Sequence, residues 1–183
     1  MGKLFIKSIS AGIAIAIGAA AYLAIPGIAG AFLFSIGLYL VLWFNLNLYT
    51  GKVGYIDTSK DVINIFLIFI GNIIGCFAIM YLFPHPIAIE LVATKLAQPF
   101  WIVCVKAIFC GILIYACVDS FKQGVKFSPL IAVPVFIIMG AEHSIADACF
   151  IIAAGAFTPT ALAFIIFVAL GNAVGSLLWR VIT

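Results

Sequence analysis

Six apolar runs organise the 183-residue chain: Leu4 to Ile25, Ala29 to Leu48, Val62 to Phe83, Phe100 to Val118, Leu130 to Phe157 and Thr160 to Ile182. A bilayer core about 30 Å thick is crossed by roughly 20 helical residues, so each run is long enough to span it. None alternates apolar and polar residues over the ~10-residue segments of an outer-membrane barrel. With 67% hydrophobic and 8% charged residues, the chain lies far outside the roughly 25% charged content of soluble domains. The expectation is an all-α integral membrane protein with the lipid bilayer as its surroundings. Because five further spans follow, the run after Met1-Gly2-Lys3 is expected to be an uncleaved helix rather than a signal peptide.

Assigning loops to alternate sides puts Lys3, Lys7, Lys52, Lys60, Lys122, Lys126 and Arg180 on one face, seven of the nine basic residues. The positive-inside rule makes that face, with both termini, cytoplasmic, and the membrane an inner (plasma) membrane. Lys95 falls on the opposite side, in the stretch between the third and fourth runs, and Lys106 lies inside the fourth. A net charge of +3 is too small to suggest nucleic acid. All five cysteines sit in apolar segments without a CxxC pair, and read as packing residues.

The chain repeats itself. Gly71-Asn72-Ile73-Ile74-Gly75 in the third run matches Gly171-Asn172-Ala173-Val174-Gly175 in the sixth, 100 residues on, and Gly12 matches Gly111 at 99. Three runs per repeat (1–95 and 96–183) is an odd number, so the second half enters the membrane inverted. Inverted repeats with discontinuous helices at corresponding places, and a site at mid-membrane between them, are a transport architecture. The second run ends in Asn45, Asn47, Thr50 and Gly51, and the fifth is interrupted by Gly140-Ala141-Glu142-His143-Ser144-Ile145-Ala146-Asp147. We therefore expect six transmembrane helices in an inverted 3+3 arrangement, with broken second and fifth helices, forming one transmembrane pore domain over 1–183.

Polar groups in hydrocarbon are costly unless they face a cavity or a partner. Glu142 and His143 would point about 100° apart on a continuous helix, and only an irregular break, which must line a cavity or be packed in protein, lets them share a site. His143 reads either as a buried histidine bonded to backbone or as a proton shuttle titrating near neutrality. Lys106 reads either as half of a fixed salt bridge to Glu142 or Asp147, or as a positive potential that draws in a small anion. Asn72 and Asn172 are expected to be structural: interhelical hydrogen bonds and caps for the broken helices. No nucleophile–base pair, metal set or phosphate loop is present, so neither an enzyme nor a cofactor is expected.

Taken together, Leu48-Tyr49-Thr50-Gly51, Gly71-Asn72, Lys106, Gly140-Ala141-Glu142-His143-Ser144-Ile145-Ala146 and Gly171-Asn172 resemble, in order and spacing, the signature stretches of the formate/nitrite transporter family. The resemblance covers essentially the whole chain and implies an aquaporin-like six-helix protomer, a homopentamer, and one pore per protomer. It implies an outer apolar constriction of Phe34, Leu38 and Phe136 and an inner one of Leu48, Tyr49 and Val125. Thr50 would sit on a gating loop, Lys106 would be the charged attractor, and His143 the central pore residue. The chain departs from the family in being short and in carrying Asp147 where Asn is usual and Tyr49 where Phe is common.

These lines together give a channel for small monovalent weak-acid anions such as formate, nitrite, hydrosulfide or acetate, attracted by Lys106 and protonated through His143. The alternative is an aquaporin-like pore for water, ammonia or urea, with Lys106 neutralised by Asp147. A non-transporting membrane subunit is disfavoured by the paired polar interruptions.

Overall fold

The computed structural model describes residues 2–183, and nine α-helices account for most of them: α1 (Gly2–Ala24), α2 (Ile28–Trp43), α3 (Tyr49–Lys52), α4 (Ser59–Met80), α5 (Pro86–Leu96), α6 (Phe100–Lys122), α7 (Ser128–Ile138), α8 (Ser144–Ala153) and α9 (Pro159–Ile182). A 3₁₀ turn, Val53–Tyr55, follows α3. Four of them, α1, α4, α6 and α9, are long and apolar enough to cross a membrane. At 11 and 10 residues, α7 and α8 each rise only about 16 Å, roughly half of a bilayer core.

Local chemistry sets these boundaries. Thr58 caps α4 in a reciprocal capping box with Asp61, and Thr158 caps α9 ahead of Pro159. Both histidines are caps as well: Nδ1 of His85 accepts the Ile87 N–H at the start of α5, and Nδ1 of His143 accepts the Ala146 N–H at the start of α8. Helix α7 ends in a Schellman turn, with Gly140 at φ 65° and the Ala141 N–H reaching back to the Phe136 carbonyl at 2.9 Å. The end of α2 is built alike: Asn45, at φ 49°, takes the left-handed position and the Leu46 N–H bonds the Val41 carbonyl at 2.8 Å. Asparagine tolerates that conformation better than other residues with a side chain.

Helix α1 packs against α4 and α2, and α6 packs against α9 and α7. Glycine makes both crossings close. A methyl at Gly12 would overlap the backbone carbonyl of Asn72, and one at Gly111 would overlap that of Asn172. Gly75 likewise lies against the Ile9 carbonyl and Gly175 against that of Ile108. The interior is filled by small α1 residues such as Ala11, Ala16 and Ala19 together with Phe34, Leu38, Leu48, Ile114 and Ile145. Large apolar side chains, among them Phe32, Trp43, Phe66, Trp101 and Leu162, stand exposed on the outside. In water such a surface would aggregate, whereas against lipid it costs nothing.

Basic residues gather at one end. Lys7 bonds the Asn45 carbonyl, Lys122 sits over the Tyr55 ring, Lys126 bonds the Phe121 carbonyl, and Arg180 bonds Gly54, Ile56 and Asp57. The segment read from sequence as a connecting loop, 84–99, instead contains α5, because Pro86 starts a helix that His85 caps. Through α5, Lys95 is carried inward against α8.

Candidate functional site: a lysine–carboxylate cluster beside a capped histidine

Two asparagines build the site's frame. Asn72 donates to the Ser8 and Asn47 carbonyls at 2.7 and 2.8 Å and accepts the Tyr49 N–H at 2.8 Å. Asn172 donates to the Ala107 and Glu142 carbonyls, both at 2.8 Å, and accepts the Ser144 N–H at 3.0 Å. Each amide is fully committed and fastens one non-helical segment: 44–48 between α2 and α3, or 139–143 between α7 and α8. These segments bring Thr50 and His143 together, Thr50 Oγ1 lying 2.9 Å from His143 Nε2.

The bonding fixes the histidine tautomer. A backbone N–H can only donate, so Nδ1 of His143 is the acceptor of the Ala146 bond and the ring hydrogen belongs on Nε2, where Thr50 Oγ1 accepts it. The Thr50 hydroxyl hydrogen is left for a further acceptor. Adding a proton at Nδ1 would break the cap and put a cation at the positive end of α8. The ring also stacks on Phe136, with centroids 5.5 Å apart. His143 is thus arranged as a neutral hydrogen-bond donor, the first of the two readings its sequence context offered.

Lys106 does not pair with Glu142 or Asp147, contrary to one expectation from sequence; Lys95 does. The Lys95 ammonium bonds Glu142 Oε2 and lies 2.9 Å from Asp147 Oδ1. Glu142 Oε1 accepts from Gln98 Nε2 at 2.7 Å, and Gln98 Oε1 accepts from Lys106. The ion pair passed to Lys95 because α5 carries it inward while Gln98 intervenes before Lys106. Glu142 and Asp147 are each 1% exposed, and Asp147 Oδ2 has no protein partner among the described residues.

Two cavities flank the Thr50–His143 bond. The first, about 70 Å³, is lined by Tyr22, Phe34, Lys95, Phe136, His143 and Asp147 among others; that is room for a few waters or one small anion. Phe34 meets Phe136 edge to face across 6.0 Å, and Leu38, one turn beyond Phe34, is 2% exposed. The second cavity, about 60 Å³, is lined by Val41, Leu48, Gly51, Lys52, Val118 and Phe121 among others. Leu48 therefore lies where the sequence put it. Tyr49 turns elsewhere, its ring on Phe69 and its hydroxyl donating to the Ala169 carbonyl at 2.9 Å. Val125 is 39% exposed in the turn after α6 and does not line this cavity; Val118, a valine in the same helix as Lys106, does. Lys95, Gln98 and Val118 were missed by sequence reasoning, and for Lys95 the available signal was the His85-Pro86 helix start.

Buried charge at the mouth of an apolar passage, inside a shell of lipid-suited helices, defines a multi-pass membrane transport protein rather than an enzyme. The family model for the formate/nitrite transporters matches residues 1–183, and the chain belongs to that family. No curated protein matches it by sequence. Among solved structures, it resembles a pentameric formate channel with formate bound, at 22% identity and a TM-score of 0.85, covering 99% of this chain and 94% of that one. An FNT-family ion channel is similar at 18% identity and a TM-score of 0.86, covering 97% and 87%.

Proposed function

We propose that the chain is a channel for small monovalent weak-acid anions, with formate, nitrite, hydrosulfide and acetate as the class. The observation that carries this reading is the first cavity: the Lys95 ammonium and the His143 ring line one space of about 70 Å³ walled by Phe34 and Phe136. A cation draws the anion in, and the His143 ring, held by Thr50, walls the cavity beside it. Lys95 replaces Lys106 as the attractor, because Lys95 lines the cavity, whereas Lys106 bonds Gln98 and comes no nearer than the cavity's edge at Gly140.

Beyond the attractor lies the apolar passage of Phe34, Leu38 and Phe136, then Leu48. Taking a bare ion through it costs several kcal/mol even after relaxation. A weak acid avoids most of that by crossing protonated, so transport is proton-linked. The supporting topology is one pore domain over the whole chain, six spans as an inverted 3+3 repeat, with α2–α3 and α7–α8 as the two interrupted spans. The twin contacts of Asn72 and Asn172 support the repeat. Basic residues at one end support cytoplasmic termini in a plasma membrane. The resemblance to a pentameric channel supports a homopentamer with one pore in each protomer.

One observation favours a second reading. Lys95 and Lys106 are matched in number by Glu142 and Asp147, so the cluster carries no formal charge when all four are ionised, as a pore for water, ammonia or urea would require. The test is uptake of the four anions by proteoliposomes, with osmotic swelling in urea beside it. Anion uptake above that of empty vesicles supports the first reading, and swelling without anion uptake supports the second.

A further inference from the structure

Asp147 carries the one feature of the cavity that the channel reading leaves unused. Its Oδ1 is held by Lys95 at 2.9 Å, while Oδ2, on a residue 1% exposed, has no protein donor. The residue lines the same cavity as His143 and Lys95. A buried carboxylate oxygen wants a hydrogen-bond donor, and on a residue that lines a small cavity a bound molecule can supply it. Both ring nitrogens of His143 are already engaged, by Ala146 and Thr50. Glu142 has both oxygens engaged, by Lys95 and Gln98. Asp147 Oδ2 is the carboxylate oxygen of the cluster left without a donor among the described residues, with the Glu142 carboxylate in hydrogen-bond reach of Asp147.

We infer that Asp147 is the group that exchanges the proton with the passing weak acid, its Oδ2 facing the acid's O–H or S–H while Lys95 faces the anionic end. This rests on the channel reading above and names the proton carrier within it. A proton from solvent first converts the Asp147 carboxylate to the acid, and the cluster of Lys95, Lys106, Glu142 and Asp147 then holds one net positive charge. The anion enters against Lys95. The Asp147 O–H bond breaks, its proton forms a new bond to the anion, and the products are the Asp147 carboxylate and the neutral acid, which moves on past Phe34 and Phe136. Run backwards, the same step deprotonates an acid arriving from the other side. No other reactant is needed.

The titratable groups around Asp147 are Lys95 from α5, Glu142 and His143 from the segment before α8, Cys149 on α8 itself, Tyr22 from α1 and Cys110 from α6, with Cys76 of α4 next to Cys149. Neighbouring α3 and α9 contribute the neutral Thr50 and Asn172. Lys95 alone among these is cationic, and Glu142 and Asp147 share it.

The test is infrared difference spectroscopy on the full chain in proteoliposomes, with carbon-13 aspartate incorporated, while pH is lowered in the presence of formate. A protonated carboxyl band that moves with the aspartate label is expected, and it is expected to vanish in Asp147→Asn. In the same vesicles Asp147→Asn lowers formate uptake in acid by about 10²-fold, the lower range for loss of a general acid, and flattens its pH profile. A band that ignores the aspartate label, or that survives Asp147→Asn, overturns the assignment, as does an unchanged pH profile. If Asp147→Asn fails to fold, Asp147→Glu takes its place, and the formate-dependent acid band is then expected to stop moving with the aspartate label, which also marks Asp57, Asp61 and Asp119. Wild-type vesicles that take up no formate would instead overturn the channel reading, and an aspartate band with no formate dependence would mean that only water meets Oδ2.

Discussion

Lys95 is the residue on which the charge cluster hangs. It holds both Glu142 and Asp147, which are almost fully buried. Removing one partner of a buried ion pair leaves an uncompensated charge, so Lys95→Ala is expected to destabilise the protein by about 3–5 kcal/mol. Lys106→Ala, which removes only a bond to Gln98, should cost about 1 kcal/mol. Thermal unfolding in detergent micelles compares the two; equal losses would contradict the geometry. Thr50 makes a different contribution, through the hydroxyl that links it to His143. Thr50→Val keeps the shape and removes that group, and it should lower formate uptake about tenfold, the rate equivalent of ~1.4 kcal/mol. Replacing His143 by Phe removes the donor and the α8 cap together, and should abolish uptake at every pH.

Elements meet here through glycine and asparagine. Gly12 and Gly111 face the backbones of Asn72 and Asn172, so Gly12→Ala and Gly111→Ala should each cost about 1–3 kcal/mol as overpacked contacts. Gly2→Ala meets nothing within 4 Å and should leave the melting temperature unchanged. Much of this was legible in the chain. The paired Gly-Asn motifs pointed to close crossings, and Gly140 marked the end of α7, because left-handed backbone and close approach both demand particular residue types. The role of Lys95 was not legible, although His85-Pro86 signals the helix that carries it. Its partners lie 47 and 52 residues away, and a lysine in a polar stretch between spans looks like any solvated one. Tyr49 and Val125 were misplaced for a related reason, since neighbouring positions on a short helix or turn point to different sides and only packing decides which faces the cavity.

The assembled molecule joins a charged cavity, apolar walls at Phe34, Leu38 and Phe136, and an exterior of exposed apolar side chains. Its family membership was readable because the signature residues sit on the non-helical segments and their anchors, where a site rather than packing dictates their identity. Assembly as a homopentamer predicts a native mass of five chains in gentle detergent, and a single-chain mass would contradict it. In the proposed function the weak acid crosses as a neutral molecule. Moving one elementary charge across 100 mV is worth about 2.3 kcal/mol, so a bare anion responds steeply to voltage and a neutral acid does not. Formate uptake should be measured in proteoliposomes holding a trapped pH dye, at imposed membrane potentials of either sign. Uptake is expected to ignore the potential and to acidify the interior as formate enters. Uptake that rises and falls with the potential, without internal acidification, would contradict neutral crossing.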